Sequence, residues 1–226
     1  MNYKIFVNNP WGENTILLYD NTKEAVLIDC GALRPREQKT IKEFIKDKDL
    51  KLTALLNTHL HLDHIFGNNF ILNEFNLLTQ ASKEDEFLID SMLDHATMYG
   101  IQDIKQAPKI GTYLKDGDII AFGETEIKVI AVRGHSPGGL CFYNCEDKIL
   151  IAGDVLFAGS VGRADLPGGN AKLLITDIKQ KLLTLDNDTL VIPGHGPSTT
   201  IYKEKMSNPF LGDSFPFYED EAEINL

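Results

Sequence analysis

Residues 58–64 read "THLHLDH", and three of the chain's six histidines fall in this one stretch. The run before it, "TALLN" (53–57), is apolar until Asn57, so the histidines sit just past the end of a buried strand, where a loop turns outward. Loops held by a rigid scaffold are where chemistry concentrates. In an extended backbone His59 and His61, two residues apart, project to the same side and can reach one ion. Asp63 and His64 come at the turn into a following helix, offset from the first pair, and can address a second ion. Leu60 and Leu62 point the other way and anchor the loop in the core.

A metal needs further ligands, and three later stretches supply them in matching contexts. His135 lies in "RGHSPGG" after the strand "IKVIAV", Asp154 in "IAGD" after "KILI", and His195 in "PGHGP" after "TLVI". Each follows an apolar strand and stands beside glycine, which permits close backbone approach in a crowded loop. Four strand ends that all terminate in His or Asp form a constellation. His95 is the one histidine outside it.

Composition sets the outer limits. The chain has 226 residues, 43% hydrophobic and 24% charged, as in an ordinary folded domain. A formal charge of -11 and the lack of any basic run disfavour nucleic acid or an anionic membrane as partner. The first residues, "MNYKIFVNNPWGEN", lack the plan of a signal peptide, and no apolar run approaches the roughly eighteen residues of a membrane span, so a cytoplasmic protein is expected. Cys30, Cys141 and Cys145 are too few for a disulfide framework and are read as small buried hydrophobes. Cys145 falls at a hairpin turn, "NCED".

Along the chain, "YKIFVN", "TILLYD" and "AVLIDC" separated by turn signals predict a β-meander. Ile41, Phe44, Ile45 and Lys48 recur at helical spacing and predict a helix over 36–48, followed by the strand "LTALLNT". Helices are expected over 63–75 and over 82–99, the latter with Ser82 as N-cap and Asp85 completing a capping-box variant. This second helix is expected to border the substrate channel. The runs "DGDIIAFGE", "TEIKVIAVRG", "GLCFYN", "KILIAGD" and "TLVIPG" read as strands, as does the short "NLLTQ", and 171–185 reads as a helix. Two groups of strands accompanied by helices suggest two sheets with helices outside, of α/β or α+β class. No linker is visible, so residues 1–226 are taken as one domain with a short extension after 197.

The ordered set H-x-H-x-D-H, G-H-S-P-G, A-G-D and P-G-H-G resembles the metallo-β-lactamase superfamily, and the likeness covers the chain from the first meander to His195. The resemblance implies an αββα sandwich with a metal site at one edge of the paired sheets. It implies His59, His61 and His135 as ligands of a first ion, Asp63, His64 and His195 as ligands of a second, and Asp154 as the ligand shared by both. Zinc-dependent β-lactamases usually have cysteine at the position of Asp154, so antibiotic cleavage is disfavoured.

Imidazole and carboxylate ligands suit two divalent ions, zinc first, with iron or manganese as alternatives. Two ions about 3.5–4 Å apart can share a hydroxide and polarise the carbonyl it attacks, with Asp63 and Asp154 as the catalytic carboxylates. A thiolate, with a conjugate pKa of about 8.5, leaves without a strong proton donor, so a thioester or a related ester is the expected small-molecule substrate. The segment "GSVGRADLPGGN" (159–170) is similar to the glyoxalase-II-like branch, the hydroxyacylglutathione hydrolases and their short bacterial relatives, and "NPFL" (208–211) resembles the C-terminal signature of the short ones. Arg163 is then a candidate carboxylate anchor for the substrate, against the simpler reading of a loop-stabilising pair with Asp165. The sequence stops at residue 226, short of the helical domain that completes a glutathione site in the long members, so glutathione should be held weakly. A mononuclear-iron persulfide dioxygenase and a lactone hydrolase are the alternatives, and a monomer or small homo-oligomer is expected.

Overall fold

The computed structural model describes residues 1–212. The meander forms as β1 (Asn2–Asn8), β2 (Glu13–Tyr19) and β3 (Glu24–Ile28), paired antiparallel. Helix α1 (Pro35–Asp47) then crosses over to β4 (Lys51–Leu56), and α2 (Asn68–Phe75) crosses to β5 (Thr79–Ala81). Two short helices, α3 (Glu86–Asp90) and α4 (Met92–Met98), lead to β6 (Ile110–Tyr113). These crossovers make β3 to β6 parallel, and the six strands lie in chain order in one mixed sheet.

The second sheet starts with three antiparallel neighbours, β7 (Ile119–Phe122), β8 (Thr125–Ala131) and β9 (Leu140–Asn144), then β10 (Ile149–Gly153). A small hairpin of β11 (Leu156–Phe157) and β12 (Ser160–Val161) and the helix α5 (Ala171–Asp177), continued by a π-helical turn at Ile178–Leu182, precede β13 (Leu190–Pro193). The strand β14 (Thr199–Thr200) and helix α6 (Ile201–Ser207) close the described chain, and the sheet order is β14-β13-β10-β9-β8-β7.

Alternation along the strands decides the layers. Ile16 and Leu18, Val26 and Ile28, and Ala54 and Leu56 face inward and meet Phe122, Ile127, Val129, Phe142, Ile151 and Ile192 of the other sheet. Their neighbours Leu17, Leu27 and Leu55 face outward against Ile41 and Ile45 of α1 and Ile71 of α2. On the second sheet Cys141, Leu150 and Val191 face outward against Leu174, Ile175, Ile178 and Ile201. Strands buried on both faces read as continuous apolar runs, and each fully buried Leu or Ile contributes about 1.5–3 kcal/mol. The result is the expected αββα sandwich.

Several expectations are corrected. The segment 63–75 is not one helix: a 3-10 turn at Leu62–His64 is separated from α2. The His64 carbonyl is taken by Cys30 N and the Asn57 amide, at 2.9 and 3.0 Å, and is not used for a helical bond. The segment 82–99 is broken at Ser91 into α3 and α4, after a 3-10 turn at Lys83–Asp85. Ser82 does cap, accepting from Glu84 N, but Asp85 turns inward instead of completing the box. Cys145 is exposed in the β9–β10 turn, whereas Cys30 and Cys141 are buried. Strands β6, β11, β12 and β14 and the helix α6 lie outside the predicted elements. Among the described residues no helix is long and apolar enough to cross a membrane.

Candidate metal centre

Every candidate ligand sits where a strand ends at one rim of the sandwich. His59, His61, Asp63 and His64 follow β4, His135 follows β8, and Asp154 and His195 follow β10 and β13. Two groups form. His59, His61 and His135 converge as one, and Asp63, His64 and His195 as another. In the first, His135 Nε2 is 2.9 Å from His61 Nδ1 and 3.2 Å from His59 Nε2. A tetrahedral ion with bonds of 2.0–2.1 Å would hold nitrogens about 3.4 Å apart, close to these edges. In the second, His195 Nε2 is 3.3 Å from His64 Nε2 and 3.1 Å from Asp63 Oδ2.

Asp154 stands between the groups. Its Oδ1 is 3.5 Å from His64 Nε2, and its Oδ2 is 3.6 Å from His195 Nε2 and 3.9 Å from His135 Nε2. Oδ1 is buried with no hydrogen-bond partner, a costly state for a carboxylate oxygen unless a cation completes it. Gly194 makes this packing possible, because a Cβ there would meet Asp154 Oδ1 at 2.3 Å.

The outer ring nitrogens explain why the inner ones are free. His135 Nδ1 donates to the Arg163 carbonyl at 2.8 Å, and His195 Nδ1 to the Trp11 carbonyl at 3.2 Å. His64 Nδ1 donates to Asp29 Oδ2 at 3.0 Å. His59 Nδ1 lies 3.0 Å from the Thr58 hydroxyl, which itself donates to Asp29 Oδ2 and so accepts from the ring. With each Nδ1 carrying its proton, the Nε2 lone pairs of His59 and His135, and those of His64 and His195, face one another in pairs. Such an arrangement fits divalent cations.

Charge divides the two groups in the metal-free chain. Burial, reinforced by the neighbouring histidines, pushes His59 well down and takes His61 to about 3, and burial also lowers His135. Burial would lower His64 and His195 as well, but Asp63 and Asp154 outweigh it and raise both. Burial would likewise raise Asp63 and Asp154, yet the facing histidines hold both below the usual carboxylate range. The carboxylates of Asp63 and Asp154 thus favour positive charge in the second group, and the first group disfavours it.

Three acidic residues outside the predicted ligand set lie against the centre: Asp29 and Glu13, which sequence reasoning passed over, and Asp85, which it read as a helix cap. Asp29, at φ +50, accepts from Thr58 N at 2.8 Å and from the Asn57 amide, besides Thr58 and His64. With both oxygens engaged and the Nδ1 of His64 turned to it, Asp29 positions ligands and is not one, although it lies close to His59 and His64. Asp85 accepts from Leu60 N at 3.2 Å, Ser136 Oγ at 2.8 Å and Gly138 N at 2.6 Å, tying the His59–His61 loop to the His135 loop. Glu13 is wholly buried beside His195, its strand start bridged to that residue, and Oε1 has no partner. Burial raises its pKa well above the carboxylate norm. The one available signal for Asp29 was an acid directly after the apolar run "AVLI".

Gly134, at φ +119, lets its carbonyl accept from Asn170 N at 2.8 Å where a Cβ would meet Asn170 O at 2.5 Å, and so shapes the loop before His135. Arg163 does not reach the centre by its side chain. Its guanidinium makes two 2.7 Å bonds to exposed Asp165, the loop-stabilising pair, while its carbonyl holds His135. Asn208 of "NPFL" donates to the Ser160 carbonyl and to Glu204, and Glu204 accepts from Gly159 N, so α6 braces the hairpin ahead of Arg163. His95 lies on α4 and joins neither group.

A family model for the metallo-β-lactamase superfamily matches residues 8–195. The chain belongs to this superfamily. The match begins at the last residue of β1 and ends at His195, and so includes β2 to β13 and every candidate ligand of this metallo-β-lactamase-fold protein. The chain is 36% identical over 212 residues to hydroxyacylglutathione hydrolase GloC of Haemophilus influenzae, covering 93% of this chain and 98% of that protein. Among solved structures it is similar to the B3 metallo-β-lactamase BLEG-1, with TM-score 0.84, 33% identity and coverage of 93% and 99%. It is also similar to TTHA1623 in a di-iron-bound form, with TM-score 0.81, 34% identity and coverage of 92% and 100%.

Proposed function

We propose that this protein is a binuclear metal-dependent hydrolase of thioesters of the hydroxyacylglutathione kind. The observation that carries the reading is the buried Asp154 carboxylate set between two converging ligand groups, with Oδ1 unpartnered. In this reading His59, His61 and His135 would hold one ion and Asp63, His64 and His195 the other, with Asp154 available to both. Zinc is the first candidate, with iron or manganese able to use the same donors. When bound, the two ions supply Lewis acidity toward the scissile carbonyl and activate water at neutral pH.

The chain's own part is orientation and proton handling. Thr58, Asp29, Arg163 O and Trp11 O fix the four imidazoles, so little reorganisation is needed when charge develops. Asp63 Oδ2, 3.1 Å from His195 Nε2, is placed to hold the proton released by the attacking water. A thiolate leaves without a dedicated acid. The likeness to GloC supports this substrate class.

The test is metal analysis of protein purified without added metal, followed by turnover of a thioester, a lactone, a β-lactam and, with oxygen uptake recorded, glutathione persulfide. About two divalent ions per chain and preferred thioester turnover are expected. A single iron with oxygen consumption and no thioester cleavage would replace this reading by the dioxygenase. Preferred lactone or β-lactam turnover would keep the metal centre and reassign the substrate.

A further inference from the structure

Asn14, the second residue of β2, is buried and directs three hydrogen bonds to one distant stretch, the "PGHG" loop at 193–196 that carries His195. Its side-chain amide donates to the Pro193 carbonyl at 2.9 Å and to the Gly196 carbonyl at 2.9 Å. Its backbone N–H donates to the Gly194 carbonyl at 2.7 Å. Carbonyl oxygens only accept, so the amide is oriented with its NH₂ toward the loop. One residue thus holds the backbone on both sides of His195. Gly194 N in turn donates to the Gly153 carbonyl at 2.8 Å, which ties the same loop to the residue before Asp154.

The meander also holds the neighbouring ligand. Asn9, across the turn from Asn14, donates its amide to the Asp63 carbonyl at 3.0 Å and to the Gly31 carbonyl at 3.1 Å. Asp63 follows a strand of the first sheet and His195 a strand of the second, and their side chains meet at 3.1 Å. The first ligand group has a separate tie, since Asp85 accepts from Leu60 N, Ser136 Oγ and Gly138 N and so joins the His59–His61 loop to the His135 loop. Among the described residues Asn14 makes no hydrogen bond to either of those loops, and Asp85 makes none to the His195 loop.

We propose that Asn14 is the positioning residue of the second ligand group, holding the His195 loop where a second ion needs it, independently of the Asp85 tie that serves the first. The proposal rests on the binuclear reading and deepens it, because occupancy of the second site then depends on a residue that is not a ligand. Ligand atoms must be held to within about 0.5 Å of their working geometry. Loss of the Asn14 amide frees the two carbonyls that flank His195, while His59, His61 and His135 keep every contact that orients them.

The experiment titrates cobalt(II) into metal-free protein and follows visible absorbance, with His195→Ala and His135→Ala marking which binding step belongs to which group. We expect two steps in the parent. Asn14→Leu, close in size but without side-chain donors, should weaken the step that His195→Ala removes by about 10- to 100-fold and leave the other unchanged. Asn14→Gln, which keeps an amide, should recover part of the loss, and Asp85→Asn should weaken the other step instead. Asn14→Ala takes the place of the leucine variant should that one not fold. Melting scans of the metal-free proteins separate positioning from stability, since a merely structural residue lowers Tm without selecting one step. With two steps in the parent, equal weakening of both by Asn14→Leu, weakening of neither, or the same pattern as Asp85→Asn overturns the role of Asn14 and leaves the binuclear reading standing. A parent that binds a single ion removes that reading and the proposal with it.

Discussion

Asp154 concentrates the chemistry at a single residue, because it alone faces both ligand groups and has one buried oxygen without a partner. Asp154→Ala should therefore bind fewer than two ions and lose turnover by ~10³-fold or more, a loss of about 4 kcal/mol of transition-state stabilisation, with an unchanged circular dichroism spectrum. Full metal occupancy with normal turnover would sink the assignment. Arg163 poses a different question, since its guanidinium is already engaged by Asp165 in an exposed pair. Exposed pairs contribute only about 0–1 kcal/mol, so an anionic acyl group could displace Asp165 at small cost. On that basis Arg163→Ala should raise KM with little change in kcat, and Asp165→Asn should lower KM for an anionic thioester. Steady-state kinetics that leave KM unmoved in both variants would confine the pair to holding its loop.

At the scale of elements, the centre depends on loops from two sheets being held in register, and Asp85 at the start of α3 joins two of them. Asp85→Asn retains shape but turns an N–H₂ toward at least one of the three donors. The expected cost is about 1–3 kcal/mol of stability, with metal affinity falling about 10- to 100-fold in chelator competition. A lowered Tm with unaltered metal affinity would show that Asp85 serves the fold alone.

The start of β2 behaves in the opposite sense, since burial raises Glu13 well above its ordinary pKa of 4.5. A raised folded-state pKa contributes stability that is complete below about 4.5 and is lost as pH rises through the folded value. Glu13→Gln does not titrate. In metal-free protein its Tm advantage over the parent should therefore grow from pH 5 to pH 8, and a constant difference in melting scans would contradict the assignment.

For the whole molecule, the ligands come from both sheets, so bound ions would clamp the open rim of the sandwich. Ions that bind the folded chain alone, at 100 times Kd, add about 2.7 kcal/mol each. In a domain of this size 1 kcal/mol moves Tm by about 2–4 °C, so filling both sites should raise Tm by roughly 10–20 °C over the chelated protein. Calorimetry with and without chelator measures this directly. A shift of only a degree or two would mean that the clamp spans less of the fold than the geometry suggests.

What the sequence determined by itself was whatever local pattern controls. Apolar runs buried on both faces, turn residues between them and strand-end histidines fix the strands and the rim, because side-chain alternation and strand termination are properties of neighbouring residues. The αββα layering and the ligand set came from the order and spacing of the motifs, matched as a whole to the family. Only the tertiary structure decided the rest. It broke 63–75 because the His64 carbonyl bonds to Cys30 and Asn57, and it turned Asp85 from a helix cap into a tie between loops. It also placed Trp11 against His195, although the two residues are 184 positions apart. Asp29 and Glu13 escaped notice for the same reason: an acidic side chain in a strand or turn declares its role only when the groups that face it, distant in the chain, have been folded against it.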